Sequence, residues 1–116
     1  MIGNHDKKWM KNIELDKYFQ SVSLLTERRT HEHWLVMSHY PLLEWNGFYR
    51  DSYMIHGHTH NRLPAQLPTY IDMPRLLNAG VDINQYMPVT FRELLVNNRI
   101  YKDSMKGATD EEKNVK

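Results

Sequence analysis

Cysteine is missing from the 116 residues. Disulfide staples and thiolate metal sites are therefore excluded, and the composition fits a reducing compartment. Any bound metal must take its ligands from His, Asn, Asp or Glu, a nitrogen and oxygen set that suits Mn, Fe, Ni, Zn or Mg. Long apolar runs are missing as well. None approaches the roughly 18–20 residues that a membrane-spanning helix needs. The opening residues "MIGNHDKKW" have no apolar stretch of the signal-peptide kind, so a cytoplasmic protein is expected. Nor does charge of one sign dominate. The 15 Lys and Arg nearly balance the 14 Asp and Glu, leaving a formal net charge of +1, and no broad basic field marks the chain as a nucleic-acid binder.

What the chain does have is apolar material, 41% hydrophobic and 11% aromatic residues, enough for a packed core in one small domain rather than wholesale disorder. It also concentrates imidazole. In "YMIHGHTHN", Tyr53 to Asn61, the residues His56, His58 and His60 take alternate positions, separated by Gly57 and Thr59. On a helix, residues two apart do not share a face. On an extended segment they do, about 7 Å apart at roughly 3.3 Å per residue. Tyr53, Met54 and Ile55 read as a short strand, and Gly57 suits a sharp exit from it. Two histidines leaving a strand end together can each reach one of two metal ions about 3.5–4 Å apart. A histidine-rich polar loop is the alternative that this stretch leaves open.

The rest of the chain reads as short elements. Lys7 to Lys11 and Leu15 to Phe19 suit helical turns, and Ser21 to Leu25 and Trp34 to Ser38 suit strands. The polar segment "TERRTHEH" between those strands reads as a hairpin loop. "WLVMS" is nearly all apolar, as in a strand covered on both faces. "LLEWNGFYRDS" is a loop with a turn at Asn46-Gly47, "SYMIH" the next strand, residues 61–75 mostly irregular, and "LLNAG" another short buried strand. "TFRELLVNN" is the clearest helix, with Thr90 as N-cap, Glu93 completing a capping box, and Phe91, Leu94 and Leu95 on one face. The expected class is α/β, with α+β the alternative. Residues 1–100 form the expected domain, and residues 101–116 a polar, disordered tail.

Three segments carry the chemistry: "GNHD" at Gly3 to Asp6, "SHYPL" at Ser38 to Leu42, and "HGHTH" at His56 to His60. In this order they resemble the last three blocks of the calcineurin-like metallophosphoesterase superfamily, whose pattern runs D-x-H, G-D, G-N-H-D/E, a lone His, then G-H-x-H. "LLNAGVDINQYMPVTFRELL" is similar to the C-terminal end of small bacterial or phage members. The resemblance implies the C-terminal half of a β-sandwich flanked by helices. It implies hydrolysis of phosphate esters, phosphodiesters foremost, by a metal-activated hydroxide at a two-metal site, with Mn²⁺ the leading cofactor. Asn4, His39 and His58 would bind one ion and His60 the other. His5 would stabilise the phosphate in flight and protonate the leaving alcohol, and Asp6 would orient His5. Arg62 is a candidate contact to the substrate phosphate, and a nucleotide is among the candidate substrates. His56 lies outside the G-H-x-H core and reads as structural or supporting, while His31 and His33 read as an exposed turn. In the loop "WNGFYR" hydrophobic anchoring outweighs contact with a nucleotide base.

The chain departs from the family where the blocks D-x-H and G-D are concerned: neither occurs in the 116 residues. The resemblance assigns those blocks most ligands of the first ion and the aspartate that bridges both. The expectation is thus a truncated, poorly active phosphoesterase whose unpaired sheet edges invite association. The rival is a non-catalytic metal-binding or interaction module, either a degenerate remnant or one subunit of a split protein. A histidine-rich structural protein without metal is the third reading.

Overall fold

The structure is a computed structural model that describes residues 1–62 and 69–114, with side chains described through residue 106. Its centre is a four-stranded mixed sheet in the order β1 (Leu25–Arg29), β2 (Trp34–Ser38), β3 (Tyr53–His56), β4 (Leu76–Asn78). β1 and β2 pair antiparallel, whereas β2, β3 and β4 run parallel. Two short helices, α1 (Lys7–Met10) and α2 (Leu15–Tyr18), precede the sheet, and a long helix, α3 (Phe91–Asn114), follows it. Mixed α/β content is thus as the sequence suggested. Among the described residues no helix is long and apolar enough to cross a membrane.

The register explains the core. Val36, Met54 and Leu76 stand side by side across β2, β3 and β4 and are all buried. Trp45, Tyr70 and Tyr101 close over that row. Fully burying an aliphatic side chain of this size contributes about 1.5–3 kcal/mol, so this small row is a main source of stability. The connection from β2 to β3 is a loop pinned by Trp45, whose indole N–H donates to Ser52 Oγ at 2.9 Å, while Ser52 Oγ donates to the Asn46 carbonyl at 2.8 Å. Gly47 sits at φ 80° in this loop, and a Cβ there would lie 2.6 Å from Ser52 Oγ. Trp45 and Phe48 pack edge to face at 4.8 Å, so their ring contact anchors the loop.

Two expected elements moved. The strand read over Ser21 to Leu25 lies at Leu25–Arg29 instead, inside the segment taken for a loop. Most of its side chains are exposed, and it is held to β2 by backbone pairing and by Trp34, whose indole N–H donates to Glu27 and whose ring lies under the Arg29 guanidinium at 3.9 Å. The hairpin turn shrinks to Thr30–His33, closed by Thr30 N–H to the His33 carbonyl at 2.8 Å, with His31 and His33 in it. The second change is at the C-terminal end. α3 does not stop near residue 100 but runs to Asn114, and Tyr101 and Lys102 are buried. The tail expected over 101–116 is therefore helical through Asn114. Residues 115–116, and 63–68 within the expected irregular stretch, lie outside the described residues.

α3 also closes one edge of the sheet. Asn98 accepts from the backbone N–H of Asn78 at 2.7 Å and donates to the Asn78 carbonyl at 3.0 Å. One side-chain amide thus takes the place of a neighbouring strand. The helix begins as read: Glu93 N–H donates to Thr90 Oγ1 at 3.2 Å, and Thr90 N–H to Glu93 Oε1 at 3.1 Å.

Candidate metal centre

Parallel strands deliver their carboxyl ends to the same side of a sheet, where open α/β folds place their ligands. Here the loops after β2, β3 and β4 emerge together. His39 follows β2, His58 and His60 follow β3, and Asp82 follows β4. Asn4 is brought to them by the N-terminal turn. In that turn the Asp6 N–H donates to the Gly3 carbonyl at 3.2 Å, and the Gly3 N–H donates to Asp6 Oδ2 at 2.6 Å.

Three of the expected ligands converge. Asn4 Oδ1 lies 2.7 Å from His39 Nε2 and 3.3 Å from His58 Nδ1, and the two imidazole nitrogens are 3.2 Å apart. Ligands held at right angles about 2.1 Å from a metal ion are about 3.0 Å from one another. The triangle has the dimensions of one face of such a coordination shell. Its donors, an amide oxygen and two imidazoles, suit borderline and hard divalent ions. Tyr40 walls it, packing against His39 at 5.1 Å and His58 at 4.5 Å. Partial burial, together with the neighbouring rings of His58, His5 and His60, lowers the pKa of His39 against a smaller opposing pull from Asp6. A neutral ring is the form that binds metal. His58, His5 and His60 thus all lie within electrostatic reach of His39.

The other expected residues stand differently. His5 is exposed on the turn beside Asn4. Asp6 does not bond His5 in this structure: Oδ2 takes the Gly3 N–H, and Oδ1 accepts from Trp9 Nε1 at 3.0 Å. Those bonds, the Gly3 one foremost, hold its pKa below the usual carboxylate value. Asp6 fixes the turn that carries Asn4 and His5. His60 is not part of the triangle. Its Nδ1 lies 3.0 Å from Asp82 Oδ2. Arg62 is exposed, its backbone N–H bonded to the Thr59 carbonyl at 3.0 Å. Among the described residues no group of three or more His, Cys, Asp or Glu is placed to hold a metal ion, and the triangle depends on Asn4 for its third donor.

The structure shows what His56, read from the sequence as structural or supporting, holds on to, and it adds Asn78 and Asn84 beside it. His56 is 1% exposed; its Nδ1 donates to the Gly57 carbonyl at 2.7 Å and its Nε2 accepts from the Tyr70 hydroxyl at 2.7 Å. Burial pushes its pKa down to about 4, so it stays neutral and braces the peptide just before His58. Asn78 donates to the His60 carbonyl at 2.7 Å and accepts from the Gly80 N–H at 2.7 Å, tying the loop after β3 to the loop after β4. Asn84 donates to the Gly80 carbonyl at 2.8 Å and accepts from Asn97 at 3.0 Å. Among the described residues, the four non-glycine residues with positive φ, His58, His60, Gln85 and Tyr86, lie in these two loops. Such backbone persists only where surrounding bonds enforce it. "LLNAG" read as a strand ending at Gly80, whereas the strand ends at Asn78, and nothing local signalled the partners of Asn78.

No family model, no curated protein sequence and no solved structure matches the chain.

Proposed function

We propose that Asn4, His39 and His58 hold a divalent ion, foremost Mn²⁺, in a phosphoester-hydrolysing centre of the metallophosphoesterase type. The sandwich architecture of that family belongs to the same proposal, as does a cytoplasmic location, which the cysteine-free composition supports. The observation that carries the reading is the donor triangle, with edges of 2.7, 3.2 and 3.3 Å. When bound, such an ion lowers the pKa of water and polarises a phosphoryl oxygen. The chain's own residues supply the rest. Gly3 and Asp6 set the turn that presents Asn4 and His5. Exposed His5 is the candidate to donate a proton to the departing alkoxide oxygen, a role imidazole fills near neutral pH. Tyr40 packs edge-on against the ring of His39 and at a tilt against that of His58. Arg62 is the candidate cation for the substrate phosphate.

The rival, a metal-binding module without catalysis, draws support from His60, which faces Asp82 rather than the triangle. Equilibrium dialysis against Mn²⁺ tests the metal centre. His58→Ala is expected to weaken binding by more than the roughly 10–100-fold that loss of an outer supporting residue costs. Equal binding by His58→Ala and the wild type would remove the reading. Little Mn²⁺-dependent hydrolysis of bis(p-nitrophenyl) phosphate is expected from these 116 residues, which contain neither D-x-H nor G-D. Ready hydrolysis would eliminate the non-catalytic rival.

A further inference from the structure

Asp82 lies 22 positions beyond His60 and belongs to none of the three motif segments. It sits in a 3₁₀ turn, Val81–Ile83, just after β4. Its Oδ2 is 3.0 Å from His60 Nδ1, and its Oδ1 accepts from the Tyr86 hydroxyl at 3.2 Å. Both partners are held in left-handed backbone, His60 at φ 52° and Tyr86 at φ 57°. The carbonyl of His60 is bonded by Asn78, and the Asp82 turn is fastened to the same asparagine through the Gly80 N–H. Ring and carboxylate are thus fixed from both sides, although the His60 side chain itself is 77% exposed.

A carboxylate has no proton to give, so the hydrogen in this bond must sit on Nδ1 of the imidazole. In the neutral ring the other nitrogen, Nε2, then carries the free lone pair. Among the described residues Nε2 of His60 has no hydrogen-bond partner. The geometry points to Asp82 as a positioning residue that locks neutral His60 in its Nδ1–H tautomer and leaves Nε2 as a free donor in the loop that also carries His58. The carboxylate–histidine pairing is the arrangement by which proteins orient metal-binding imidazoles. The value of this donor rests on the metal-centre reading; the tautomer itself does not.

Long-range ¹H–¹⁵N correlation spectra of the full chain, freed of metal with a chelator and recorded above the ordinary imidazole range, read the tautomer directly. The expected pattern for His60 is a pyrrole-like Nδ1 and a pyridine-like Nε2. In Asp82→Ala the Nδ1–H form is expected to be lost as the dominant one, with Nε2 becoming pyrrole-like, while the His56 pattern stays as it is and reports an intact fold. Asp82→Glu is expected to restore part of the wild-type pattern. A wild-type His60 with its proton on Nε2 would overturn the inference, and that spectrum decides even where Asp82→Ala fails to fold. An unchanged His60 pattern in folded Asp82→Ala would overturn it equally. Dialysis against Mn²⁺ separates the two ideas: no binding by the wild type sinks the metal centre and leaves the tautomer result standing.

Discussion

At the scale of single residues, the site is braced by a buried, fully hydrogen-bonded group. His56 shows how this works. Its ring gives one hydrogen to the Gly57 carbonyl and accepts one from the Tyr70 hydroxyl. Burial keeps it neutral, so both bonds hold at neutral pH. Removing the donor leaves a buried nitrogen unpaired, which costs about 1–3 kcal/mol. Tyr70→Phe is therefore expected to lower stability by that amount in urea titrations; an unchanged midpoint would show that the bond contributes nothing. The sequence made His56 visible as a histidine apart from the motif core, but not its task, because Tyr70 lies 14 positions away in a segment with no pattern of its own. Asp82 was hidden for the same reason. Asn4, His39 and His58 were singled out by a resemblance in motif order, and the fold places the three side chains within 3.3 Å of one another.

At the scale of elements, strands with apolar side chains were read correctly and those without were not. Tyr53–His56, Trp34–Ser38 and Leu76–Asn78 announce themselves by apolar residues between turn signals. β1 does not, since an edge strand can be charged on both faces. The end of α3 was missed because Lys102 looked like a solvated charge. It is 5% exposed and its amine donates to the carbonyls of Met73, at 2.6 Å, and Leu76. Burial lowers its pKa from 10.5 to about 8. In the unfolded chain the same group titrates near 10.5, so between about pH 8 and 10.5 the unfolded state binds more protons. Raising the pH through that window favours the folded state, by roughly 1 kcal/mol per pH unit. A neutral amine still has hydrogens for both carbonyls. The wild type is thus expected to gain stability relative to Lys102→Met as pH rises from about 8 to 10.5, measured by denaturation at each pH. A gap that stays constant across the window would contradict the assignment.

At the scale of the molecule, one end of the sheet carries the candidate site and its two edges differ. The β4 edge is sealed by Asn98, so the association expected from unpaired strands has only β1 to act through, where Leu25 is 50% exposed beside charged neighbours. The functional end gathers loops from three parallel strands and one N-terminal turn. Two asparagines, Asn78 and Asn84, fasten the loops after β3 and β4 to each other and to α3. That arrangement rests on long-range hydrogen bonds, which is why the architecture was partly legible and the wiring was not. The central claim is that these elements assemble an ion site on Asn4, His39 and His58. Crystals of the chain grown with Mn²⁺ and measured for anomalous scattering test it most directly. The account predicts a peak bonded to Asn4 Oδ1, His39 Nε2 and His58 Nδ1. A peak at His31 and His33, or none at the triangle with Mn²⁺ in excess, would contradict it.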